Sequence, residues 1–190
     1  IRLMYGFELI DTRQAVNYAQ KVLLLDKVDN WLLSKAEIII SRNDFESGNY
    51  VKARKSYRRI LNIDKNSDGA EAMYMLIYLT YLDDSLDIAE EMIFDMPNNF
   101  SDNYYIAKSF ILLSDIYVSR GDKFQAKATL ESILDNYDGE ELILLAKKKR
   151  EDIIESEIRE EITVEKIRYI DIFEEELEYE LYDVGDTLRK

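Results

Sequence analysis

Tyr74, Tyr78 and Tyr81 stand at i, i+4 and i+7, the spacing that aligns side chains on one face of a helix. A phenol is a rigid, amphipathic surface whose ring stacks and whose hydroxyl hydrogen-bonds, so three in a row suit recognition rather than bond breaking. The groups that ordinarily do covalent or acid–base work are missing. The 190 residues include no cysteine and no histidine, which removes the thiolate nucleophile, the usual zinc ligands and the commonest general base. With 39 carboxylates, pairs at i, i+3 or i, i+4 arise by chance, so no acid–base dyad is specified. Residues 62–69 imitate the start of a calcium loop but lack its closing glutamate, and they read as a helix-to-helix turn. Neither a glycine-rich phosphate loop nor a nucleophile elbow is present. These residues predict no enzyme, no metal and no cofactor.

Charge and composition narrow the partners. A net charge of −14 repels phosphates and argues against nucleic acid. No stretch of 18 apolar residues occurs, so insertion in a membrane is not expected. Hydrophobic residues make up 47% and charged residues 34% of the chain, the proportions of a folded globular protein. One proline and six glycines leave little room for the turns of an all-β fold.

The elements that must position the tyrosines are helical hairpins, and residues 104–137 show the plan. Ile106, Phe110, Leu113 and Tyr117 form one apolar stripe; Gly121-Asp122 interrupts it as a helix stop and a fresh cap; Phe124, Ala126, Leu130, Ile133 and Leu134 resume it. Two helices joined by so short a turn lie antiparallel and in contact. One hairpin buries too little to stand alone, and copies precede it. Gly48-Asn49-Tyr50 leads to Ala53 and Tyr57, and Asp84 leads to Ala89 and Ile93. Alanines at 15, 53, 89 and 126 mark steps of 38, 36 and 37 residues. Helices are predicted over 12–27, 30–45, 49–63, 70–81 and 86–96, with Asp11 or Thr12, Ser67 or Asp68, and Asp83 or Asp84 as caps, and with 97–102 as a turn that begins at Pro97. Residues 1–10 read as the end of an earlier element or a short helix.

Leu113-Ser114, Tyr117, Gly121-Asp122, Ala126 and Leu130, with their upstream copies, resemble the tetratricopeptide repeat (TPR) over residues 12–137. The resemblance implies an all-α, right-handed α-solenoid of TPR-like hairpins, about three repeats and a partial one over 1–139. It also implies that first helices line a concave groove, where a partner segment lies. Carried onto this chain, the groove positions are Tyr74, Tyr78 and Tyr81, flanked by Lys35, Ile38 and Arg42 on one side and by Lys108, Ile111 and Asp115 on the other. Met73, Leu76 and Ile77 fall on packing positions. The family's carboxylate clamp for chaperone tails is not matched, because Ile38, Tyr74, Tyr78, Ile111 and Asp115 occupy its places. The implied function is a non-enzymatic protein–protein interaction scaffold with a protein or peptide partner. A structural oligomerisation module and a carbohydrate-binding solenoid are the alternatives. Gly69-Ala70-Glu71-Ala72 and the segment 105–110 are similar to phrases in long envelope-associated repeat proteins of Gram-negative bacteria, which implies an exported bacterial protein of the periplasm or envelope, with the cytoplasm as the alternative.

The last third differs. Residues 140–160 read as a capping helix and 161–190 as an acidic extension expected to dock on a second copy of the chain or on a partner. From 151 to 190 there are 15 acidic and five basic residues, a net −10. Leu177, Tyr179 and Leu181 alternate with glutamates, a period that suits a strand, although the same letters also suit a helix. The cationic residues Lys52, Arg54, Lys55, Arg58 and Arg59 and the acidic ones Asp83, Asp84, Asp87, Glu90, Glu91 and Asp95 are expected to face each other across stacked second helices.

Overall fold

The structure, a computed structural model, describes the backbone of residues 11–187 and the side chains of 11–170 and 172–174. The expectation for residues 1–10 lies outside the described residues. Among those described, eight helices and no strand are found: α1 (Thr12–Leu23), α2 (Asn30–Glu46), α3 (Tyr50–Ile63), α4 (Ser67–Leu82), α5 (Leu86–Asn99), α6 (Asn103–Ser119), α7 (Lys123–Asn136) and α8 (Glu140–Thr187). Contacts divide the chain into two units at Lys147/Lys148.

In the first unit, α2–α3, α4–α5 and α6–α7 are hairpins, and each second helix packs on the first helix that follows it. The first helices α2, α4 and α6 also touch in series. The hairpin turns explain the repeat. Gly48, Asp84 and Gly121 all have left-handed backbones, with φ of 74°, 58° and 79°, and each ends a first helix. There the amide three positions past the helix donates back to the carbonyl five residues earlier: Asn49 to Asp44 at 2.7 Å, Ser85 to Thr80 at 3.2 Å and Asp122 to Tyr117 at 2.9 Å. Five residues on, Ala53, Ala89 and Ala126 are wholly buried where the two helices pass closest. Asp84 thus occupies a glycine's backbone in the second hairpin, and an aspartate there is strained. Asp84→Gly should raise the unfolding free energy by about 0.5–1 kcal/mol, read as a higher denaturant midpoint at unchanged slope.

Three buried clusters run along the first unit, each shared by a hairpin and its neighbour: Ala15, Ala19, Val22, Ala36 and Ile39; then a group around Tyr57 and Ile60; then a group around Ile77, Ile93 and Met96. Each fully buried leucine or isoleucine contributes roughly 1.5–3 kcal/mol of apolar burial. In TPR-type arrays such terms add from repeat to repeat.

Several expected boundaries are corrected. Pro97 does not end α5, which continues to Asn99; at the last turn proline forfeits one helical bond, and Phe100 still donates to Met96 at 3.0 Å. Asp11 caps α1, but neither Ser67 nor Asp68 is the N-cap of α4, which begins after Asn66, and neither Asp83 nor Asp84 is that of α5, which begins after Ser85; Asp83 instead caps the C-terminus of α4. Within 62–69 only 64–66 is turn between α3 and α4, held by Asp64, whose carboxylate accepts from the Asn66 and Gly69 amides at 2.7 and 3.3 Å. The backbone over 177–181 is helical, so the strand alternative does not hold. No break falls at 160, because α8 runs for 48 residues. In the first unit its opening turns bury Leu142 and Ala146. In the second unit the described apolar side chains from Ile158 to Phe173 are all exposed.

Candidate functional site: an aromatic surface on the first helices

The tyrosines of α4 emerge as the sequence spacing predicts. Tyr74 and Tyr78 stack with centroids 6.3 Å apart and planes inclined by 14°, and Tyr78 and Tyr81 stack at 6.2 Å and 23°. The run extends beyond α4. Phe45 of α2 lies 5.9 Å from Tyr78 and 5.3 Å from Tyr50 of α3. On the other side Tyr105 of α6 lies 6.1 Å from Tyr74, and Tyr104 meets Tyr105 edge to face at 5.1 Å. Seven rings therefore form one connected chain, six of them on the three first helices and Tyr50 on α3. The ammonium of Lys108 sits 5.0 Å from the Tyr74 ring and 5.4 Å from that of Tyr104, a cation–π arrangement.

All three α4 tyrosines are partly buried and pack against the core cluster around Ile77. They form its roof as well as a surface, so their removal costs packing too. Burial, followed by the neighbouring Tyr78, pushes the Tyr74 phenol up to about 12. Burial and a hydrogen bond to Glu71 raise Tyr105, and burial raises Tyr57. The phenols are therefore neutral at ordinary pH and available as donors. A raised folded-state pKa means that stability is full below the unfolded value of about 10 and is lost as pH climbs through the folded value. The denaturant midpoint should hold to about pH 10 and fall between about 10 and 12; a midpoint flat to pH 12 would contradict the burial.

Ile38 and Ile111, expected in the groove, are instead core residues exposed by only 2% and 3%. They occupy the same repeat position as Tyr74, but a branched aliphatic side chain ends beneath its neighbours where a tyrosine reaches past them. Asp115 is half-buried near Tyr74, whose phenol its charge helps to raise. Lys35 and Arg42 do border the surface, each held by a carboxylate of α4. Lys35 pairs with Asp68, which also accepts from the Ser34 hydroxyl at 3.0 Å. Arg42 meets Glu71 through two bonds of 2.6 Å, and Glu71 accepts a third, from the Tyr105 hydroxyl, at 2.7 Å. One buried carboxylate thus ties α2, α4 and α6 together. The nearby Tyr57 hydroxyl is wholly buried without a hydrogen-bond partner. Among the described residues no group of three or more acidic side chains is placed to hold a metal ion.

Sequence reasoning missed Phe45, Tyr50, Tyr104 and Tyr105. Phe45 lay one first helix away from the triad, and Tyr105 precedes the helical positions compared between repeats. No family model and no curated protein sequence matches the chain. Among solved structures it is similar to the one titled "Crystal structure of MamA", with a TM-score of 0.51 at 20% identity, over 79% of this chain and 91% of that one. At that identity the likeness speaks for the fold alone. The chain has the fold of a TPR-type α-solenoid with a helical, acidic C-terminal extension.

Proposed function

We propose that this chain is a non-enzymatic interaction scaffold that holds a segment of a protein partner against the first-helix surface. The observation that carries this reading is the continuous chain of rings over α2, α4 and α6. Tyrosines spaced by about 6 Å and held by their own stacking lose little freedom when a partner arrives, which is why such residues dominate recognition surfaces. Lys35 and Arg42 already answer to Asp68 and Glu71, so the surface offers stacking and phenolic hydrogen bonds more than net charge. That pattern suits an extended segment with apolar or aromatic side chains.

The test places a photo-cross-linking amino acid at Tyr81, on the surface, and at Phe124, which is 76% exposed on α7, in cells of the source organism. A discrete adduct at position 81 that is absent at 124 and lost with Tyr78→Ala supports the reading. Equal labelling at both positions would sink it.

A further inference from the structure

α3 carries five cations and no carboxylate in a chain of net charge −14. Two of the five are used at home. Arg54 pairs with Asp83 at 2.5 Å and donates to the Leu79 carbonyl at 3.1 Å, and Arg59 grips Glu37 at 2.7 and 2.8 Å. The other three were expected to meet the acidic face of the next second helix. They do not, because second helices pack on first helices, and the Asp87 and Glu90 carboxylates of α5 are taken by Arg120, the C-cap of α6. Lys52, Lys55 and Arg58 are exposed, and among the described residues they make no ion pair. Val51, 85% exposed, shares the face of Lys55 and Arg58 at i, i+4 and i+7. The other basic run, Lys147 to Arg150, lacks this character: Glu151 and Asp152 follow it directly, and Lys149 and Arg150 already have partners.

The complement of such a strip is an acidic helix with apolar side chains, and this chain carries one. From Asp171 to Asp186 the sequence holds eight carboxylates and no cation, on a backbone that is helical as far as Thr187. Ile170 beside that stretch and Ile172 and Phe173 within it are 57%, 49% and 59% exposed. We infer that the cationic strip of α3 receives the acidic end of α8 from a second copy of this chain. Copies that repel each other overall, at −14 apiece, meet through two surfaces whose charges are opposite. The two patches are different surfaces, so the contact is head to tail. A pair that makes the contact once keeps one free strip and one free acidic helix, so the contact closes into a ring, of two copies at the smallest, or runs on as an open chain. Because the charges of the strip are exposed, salt weakens it.

Two full-length variants test this by light scattering and sedimentation. One is Lys52→Glu/Lys55→Glu/Arg58→Glu, and the other is Glu174→Gln/Glu175→Gln/Glu176→Gln/Glu178→Gln. The parent should exceed one chain mass at low salt and fall to 22.4 kDa at about 0.5 M salt, where the screening length is only a few ångströms. Each variant alone should stay at one chain mass. An equimolar mixture should give a species of two chains and no more, because the first variant keeps only its acidic helix and the second only its strip. A parent that is monomeric at low salt, or a mixture that stays at one chain mass, overturns the inference. Association of the parent that survives in either variant overturns it as well, since other surfaces would then be responsible. The altered lysines and arginine are exposed, and circular dichroism of each variant is the check that it folds. If the charge reversal disturbs the helix, the milder Lys52→Gln/Lys55→Gln/Arg58→Gln serves the same comparison.

Discussion

Arg42→Ala should lower the stability of the chain by about 3 kcal/mol, more than Glu71→Ala, which should lower it by about 2 kcal/mol. The order follows from exposure. The Arg42 side chain is 44% exposed and that of Glu71 only 9%. Removing the arginine leaves a buried carboxylate answered only by the Tyr105 hydroxyl, whereas removing the glutamate leaves a guanidinium that water can reach. Breaking a fully buried pair costs about 3–5 kcal/mol, and the exposed arginine moves both variants toward the low end. For a chain of this size, 3 kcal/mol corresponds to roughly 6–12 °C in melting temperature. Equal losses, or a larger loss for Glu71→Ala, would show that this carboxylate does not join the three first helices as described.

Gly69→Ala is the second large effect, and helix propensity predicts the opposite sign. Gly69 lies in α4, where alanine for glycine ordinarily stabilises a helix by about 1 kcal/mol. Here a Cβ would lie 2.3 Å from the Asp64 carbonyl oxygen, 2.9 Å from its carbon and 3.1 Å from the Phe100 ring. Two of these are backbone atoms of the turn that Asp64 closes, and they cannot swing aside like a flexible side chain. The expected outcome is a loss of about 2–3 kcal/mol from forced repacking. A variant that melts above the parent would mean that the approach of this turn to α4 is looser than described.

The glycine, alanine and aromatic spacings reveal the hairpins because local backbone needs set them. A left-handed residue at 48, 84 and 121 and a small one five positions later are written into the sequence itself. Even the departure was legible, since Asp84 tolerates the glycine's backbone. The partners of charged residues were not. Arg42 meets a carboxylate 29 residues away and Lys35 one 33 residues away, and nothing local distinguishes Asp68 as a pairing residue from Asp68 as a helix cap. The groove was half legible for a related reason. Position within the repeat fixes direction but not reach, so Tyr74 surfaces where Ile38 and Ile111 do not. Over residues 177–181, alternation alone was compatible with strand or helix; the backbone there is part of the continuous α8.

The scaffold reading rests on the stacked tyrosines carrying the affinity. Its most direct test is calorimetric titration of the segment captured at Tyr81 into the parent, Tyr78→Ala and Phe124→Ala, each confirmed folded at the assay temperature. Loss of a hot-spot aromatic costs about 2 kcal/mol or more, so Tyr78→Ala should weaken binding by roughly 30-fold or more while Phe124→Ala changes it less than about twofold. Indistinguishable affinities for the parent and Tyr78→Ala would contradict the account.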